Sequence, residues 1–231
     1  HREAALEYRR LAEHEPAGRA AGYRWAAAYA YWQAGSLADA TRQLDRAQDD
    51  LSTNELPVSV LRAEIARSGR QWDEASFYYE GLQASAAPDV RQFALRRLAS
   101  TRLAQGRAGE AAPLVGDLAD PAATAALADY TARHDRLPWL GGLLGTIPGA
   151  GYMYSGEWST GFRSLILNAL FIYGMVETAD DESWGAFAAI TFFELTWYSG
   201  SIYGGIDAAH RHNQQRLNDC RDAIDGLTLV E

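Results

Sequence analysis

Few residues of this 231-residue chain stand in arrangements that could do chemistry, and those that do point to binding. Asn168 and Glu194 are polar groups set in otherwise apolar stretches, where an unpaired polar side chain is costly. Counted from the acidic run ETADDES, centred near Asp181, Asn168 lies 13 residues before and Glu194 13 residues after. At about 1.5 Å per helical residue they reach one depth, so the spacing predicts a polar clasp between two antiparallel helices. A proton or ion relay would need further ionisable groups along a path. His210 and His212, in AAHRHN, read as part of a polar belt beside the apolar region, and neither metal nor cofactor is implied. No Ser/His/Asp, Cys/His or paired-carboxylate pattern has supporting context, so the chain is not read as an enzyme.

The stretch GTIPGAGYMYSGEWSTGF, Gly145 to Phe162, is rich in glycine without being a phosphate loop, since it lacks the lysine and follows no strand. Pro148, Gly149, Gly151, Tyr154 and Gly156 form a helix-break motif instead, with the glycines admitting close backbone approach. The formal charge of -9 leaves no basic excess for nucleic acid. The basic residues are all arginine, and the one cysteine, Cys220, excludes an intramolecular disulfide.

The elements that carry these residues fall into two kinds. Aligned on the alanine after an acidic residue, the runs HREAALEY, SLADATRQL, QWDEASFYY and RAGEAAPLV place Ala4, Ala40, Ala75 and Ala111 at spacings of 36, 35 and 36. Gly35, Gly69 and Gly106 precede the last three at a turn, which predicts a helix-turn-helix unit of about 35 residues. Trp25, Tyr29, Trp32, Leu61, Ile65, Leu95 and Leu98 recur at helical spacing as the expected core. The first run has no helix before it, so repeat sequence upstream of His1 is expected. Pro121 to Arg136 reads as a capping helix and linker within 120–136.

Residues 137–209 then turn apolar, with 210–231 a polar tail. Leu137 to Gly156, Ser164 to Val176 and Trp184 to Phe193 carry no charge, and Ser183 to Ile206 holds one charge in 24 residues. With Trp139, Trp158, Trp184 and Trp197 near the ends, two or three membrane helices are expected. The acidic loop Glu177–Ser183 lies outside and Arg163, Arg211 and Arg216 inside by the positive-inside rule. Three crossings are expected, the first at Leu137–Tyr154, which puts the repeats in the periplasm; two crossings would leave them in the cytoplasm.

The repeats, at residues 1–119, resemble the tetratricopeptide repeat, an antiparallel helix pair with a small residue where the helices cross. IPGAGYMYSGEWSTGF, LILNALFIYG and FFELTWYSGSIYGGIDAAHRHN resemble the C-terminal membrane region of bacterial repeat proteins with a Pro-Gly-x-Gly-x-x-Tyr-x-Gly signature. They are similar, more distantly, to the two-transmembrane-helix domain. Tyr152 and Met153 depart from the commoner pattern, which has Gln and Leu there. Relatives of this kind are associated with the membrane-protein insertion efficiency factor YidD and carry an export signal, so the resemblance implies a bacterial inner-membrane protein of the cell envelope.

The expected fold is therefore all-α: a tetratricopeptide-like helical solenoid followed by a hydrophobic transmembrane helical region. The expected function is a membrane-anchored protein-interaction scaffold that meets a protein partner through the repeat groove and the lipid bilayer through its C-terminal helices. The alternative is an assembly or transport component whose broken helices act directly. Tyr23, Arg24, Tyr31, Arg62, Arg91 and Arg102, on the first helices of the pairs, are the candidate partner-binding residues.

Overall fold

A computed structural model of the chain describes residues 1–50, 56–85 and 87–226, with 17, 49 and 50 described by their backbone alone. The chain is all-α, with no strand among the described residues. It divides into two compact units, His1–Ala128 together with the chain from Cys220 onward, and Asp129–Asp219.

The first unit is built of antiparallel pairs from α1 (Arg2–His14), α2 (Ala17–Gln33), α3 (Leu37–Asp50), α4 (Leu56–Ser68), α5 (Trp72–Gln83), α6 (Pro88–Ala104) and α7 (Ala108–Asp117), with α8 (Pro121–Ala132) following. Ala40, Ala75 and Ala111 are fully buried, as the small crossing residue of a helix pair must be. In α1 the buried residue at the corresponding place is Ala5, while Ala4 is exposed. The crossing positions are thus spaced 35, 35 and 36 residues apart.

The turn explains this register. In each pair one residue takes a left-handed conformation and the next amide reaches back to a carbonyl five residues earlier: Ser36 to Tyr31, Gln71 to Ala66 and Arg107 to Arg102. That is the Schellman closure, which satisfies the helix-end carbonyls. The left-handed residues are Gly35, Arg70 and Gly106, at φ 74°, 58° and 76°, and each stands five residues before its buried alanine. Gly69 lies in the turn of the second pair, as expected, immediately before the left-handed Arg70.

The second unit begins with α9 (Pro138–Leu144) and α10 (Ala150–Tyr154), of 7 and 5 residues, and continues with α11 (Trp158–Asp180) and α12 (Trp184–Asp225). Leu137–Tyr154 is therefore not one crossing helix. α9 ends at Leu144 with Gly145 as its cap, residues 145–149 separate it from α10, and the pieces are too short for a bilayer of about 30 Å. The turn of the first unit recurs here: Gly156 sits at φ 90°, Glu157 donates back to Tyr152, and the buried Gly161 follows five residues later.

Glycine holds this unit together by absence of side chain. A methyl group at Gly141 would strike the carbonyl of Gly205, and one at Gly205 would strike that of Gly141. Gly151 stacks on both, and Gly149, at φ 85°, abuts the Gly161 carbonyl. Gly200, by contrast, faces open space.

The transmembrane expectation needs a correction at the level of single helices. Among the described residues no helix is long and apolar enough to cross a membrane. α11 and α12 have the length, at 23 and 42 residues, but Gly161, Ser164 and Asn168 on one and Glu194, Ser201 and Gly205 on the other dilute their apolarity. All six are buried, as are Ala208, Ala209, Cys220 and Ile224 further along α12.

Candidate functional site

The six residues expected to form the repeat surface divide on inspection. Tyr31 is only 4% exposed and packs with Ala5, Ala28 and Leu44, so it belongs to the core. Arg62 is tied to Asp45 and Gln48, each at 2.7 Å, and Arg102 to Glu80, Gln105 and Glu110. Arg24 donates to the Arg46 carbonyl at 3.4 Å, Tyr23 is half-buried, and Arg91 is exposed. None of the six lines the open hollow of about 680 Å3 beside α4 and α5, where Leu56, Ser59, Phe77 and Tyr78 stand and Phe77 is 70% exposed.

A polar cluster that the sequence did not announce occupies the first unit's interior. Asp225, with its side chain only 1% exposed, accepts from Arg67 and, at 2.9 Å, from Arg97. Ser100 donates to the same carboxylate oxygen at 3.2 Å. Arg97 also reaches Glu64 at 3.1 Å, and Glu64 accepts from the Tyr79 hydroxyl at 2.7 Å. Burial first, then the Glu64 charge, pushes the Tyr79 hydroxyl far above its usual pKa, so it stays a donor. Burial opposes the Arg97 charge, but Glu64 and Asp225 more than restore it.

Arg96 adds a bond to the Ile224 carbonyl at 2.9 Å, and Arg221 lies over the Trp72 ring and donates to the Ser100 carbonyl at 3.1 Å. Ile224 and Cys220 are buried. The end of α12 is therefore a docked part of the repeat unit and not a free polar tail. Arg67 and Asp225 are 158 residues apart, too far for any local pattern to reveal.

In the second unit Asn168 and Glu194 are both buried, at 1% and 8% exposure, but no hydrogen bond joins them. Asn168 donates to the Ser164 carbonyl of its own helix at 2.6 Å, and its Oδ1 is unpartnered, as is Oε2 of Glu194. The polar contact between the helices is Ser164 with Ser201, at 3.4 Å, where Ser201 also accepts from the Gly149 amide. That pairing brings Asn168, one turn on from Ser164, level with Trp197 and leaves Glu194 nearer the loop. The expected clasp is thus displaced to the two serines.

Of the helix-break residues, Gly149, Gly151 and Gly156 act as turns and close contacts, and Pro148 stands in the break itself. Tyr154 fastens the unit's entry: its hydroxyl accepts from the Leu137 amide at 3.0 Å and Arg136 lies 5.0 Å above its ring. His210 is exposed, and His212 has its pKa lowered by burial and then by Arg136 and Arg216. Among the described residues no three His, Cys, Asp or Glu side chains gather as a metal site.

The outward faces of α11 and α12 are the reverse of an ordinary protein surface. Ile166, Leu170, Tyr173, Phe192, Phe193 and Leu195 are each more than half exposed. Comparison with known proteins returned no match: no protein-family model fits the chain, and no curated protein or solved structure is detectably similar to it.

Proposed function

We propose that this chain is a membrane-anchored protein-interaction scaffold, with tetratricopeptide-like repeats carried by a helical hairpin whose outer face lies in a lipid bilayer. The observation that carries this reading is the inverted burial of α11 and α12: small and polar side chains inside, large apolar ones outside. Each helix alone falls short of a crossing segment, but as a pair they turn Asn168, Glu194 and the serines away from lipid. The outward face of α11 from Trp158 to Val176 measures roughly 28 Å at the helical rise, and its uncharged part, which begins after the exposed Arg163, runs from Ser164 to Val176.

Docking of residues 220–226 within the repeat unit favours an even number of crossings, because the repeats and the C-terminus then share one side. The short α9 and α10 favour two. With the acidic loop Glu177–Ser183 outside, the repeats of a bacterial inner-membrane protein would lie in the cytoplasm; the periplasmic placement depended on a third crossing. The protein partner is an apolar segment seated near the exposed Phe77. Backbone packed on backbone at Gly141, Gly205, Gly149 and Gly161 favours a rigid mount over a transport path.

Flotation of the full chain with phosphatidylcholine vesicles tests the anchor. The chain is expected to rise with the vesicles and to stay bound through high salt and alkaline washing. A chain left at the bottom of the gradient would overturn the reading.

A further inference from the structure

Between α10, α11 and α12 the second unit holds a cavity of about 430 Å3, lined by Tyr152, Thr160, Arg163, Leu167 and Trp197 among others, none of them acidic. It is amphipathic along its length. Thr160 and Arg163 stand near the start of α11, whereas Leu167 lies a turn further into the apolar span and Trp197 stands opposite on α12.

Arg163 is unlike the other arginines of this unit. Arg133 pairs with Asp129, Arg136 lies over Tyr154, Arg211 pairs with Glu157 and Asp207, and Arg216 pairs with Asp135. Arg163 alone of the five has no hydrogen bond, ion pair or ring contact among the described residues, and it is exposed at the cavity. A guanidinium at an apolar cavity, with no carboxylate in reach, is complementary to a phosphate, which it binds through two parallel N–H donors. A zwitterionic headgroup brings its own cation, while an anionic one leaves its charge to the protein.

We propose that this cavity binds one anionic phospholipid of the bilayer, its phosphate on Arg163 beside Thr160 and part of one acyl chain against Leu167 and Trp197. The site rests on the membrane reading above and adds a ligand to it. The test is native mass spectrometry of the full chain after reconstitution into equimolar phosphatidylcholine and phosphatidylglycerol vesicles, with flotation measured in parallel.

The wild-type chain should retain phosphatidylglycerol in preference to phosphatidylcholine. Arg163→Gln should float as the wild type does yet lose about tenfold of that retention, the worth of one charge-assisted contact. Leu167→Trp, which fills the apolar end and keeps the charge, should lose it as well. Equal retention of the two lipids by the wild type, or undiminished phosphatidylglycerol on either variant, would overturn the site. A wild-type chain that floats without retaining lipid removes the site alone, whereas one that does not float removes the membrane reading and the site with it.

Discussion

In the repeat unit the largest buried side chains are Tyr79, Leu44, Leu103 and Ile224, and the buried charges of Arg97, Glu64 and Asp225 are paired. In the second unit the buried positions of α11 are Gly161, Ser164 and Asn168, and the large apolar side chains of the same helix point outward. The two units nonetheless share one turn, a left-handed residue five positions before a small buried one: Gly35 and Ala40, Arg70 and Ala75, Gly106 and Ala111, Gly156 and Gly161. The same local device therefore serves opposite patterns of burial. The backbone closure depends on chain geometry, whereas the side chains record what lies outside the helix pair.

The sharpest way to break this comparison is to remove apolar volume from each unit. Leu44→Ala should cost about 4 kcal/mol of the repeat unit's stability, read from denaturant unfolding. Leu170→Ala, on the outward face of α11, should cost less than about 0.5 kcal/mol in mild detergent and instead weaken vesicle flotation. Equal losses would mean that α11 buries Leu170 as ordinary core.

Next in size is Asp225→Ala, which leaves the half-buried Arg67 without a carboxylate and Arg97 with Glu64 alone, and should cost about 3 kcal/mol. Hydrogen exchange should rise in residues 220–226 while α2 and α3 keep their protection. Gly205→Ala should cost about 2 to 3 kcal/mol by driving a methyl group into the Gly141 carbonyl, with thermal unfolding of the second unit as the readout. In α7, where Gly116 faces open space, Gly116→Ala should instead gain about 0.5 to 1 kcal/mol. A change of similar size is expected in the shared turn: Arg70→Gly should stabilise the repeat unit by about 1 kcal/mol, because Arg70 holds a left-handed conformation that glycine adopts freely.

Much of the repeat architecture was legible because its signals are local. Ala40, Ala75 and Ala111, the turns at Gly35 and Gly106, and the break around Pro148 were all read from short-range pattern. The errors are as instructive. The alignment ran through Ala4 because it follows an acid, but position in the helix pair, not the preceding residue type, decides which alanine is buried. Tyr31 was placed on the surface because aromatic spacing alone does not separate the two faces of a helix in a closely packed pair.

Asn168 and Glu194 were matched by counting from the loop, but the pairing of Ser164 with Ser201 sets a register about three residues away. The return of Asp225 onto Arg67 and Arg97 carried no sequence signal, since the partners lie in distant helices and share no period. The uncharged runs were read as membrane helices, but no single described helix is apolar enough to cross, because the small and polar residues on the inner sides of α11 and α12 lower their apolarity.

The central claim is that the inverted unit crosses a bilayer as a pair and returns the chain to the side of the repeats. Single cysteines read it most directly, in a Cys220→Ser background because Cys220 is buried. Arg9→Cys, Asp181→Cys and Asn218→Cys each replace an exposed residue and can be labelled in intact cells with a thiol reagent that does not cross membranes. The account predicts that the cysteine at 181 reacts while those at 9 and 218 react only after the membrane is opened. Reaction of 181 together with both others, or of none of the three, would contradict it, and opposite behaviour of 9 and 218 would require an odd number of crossings.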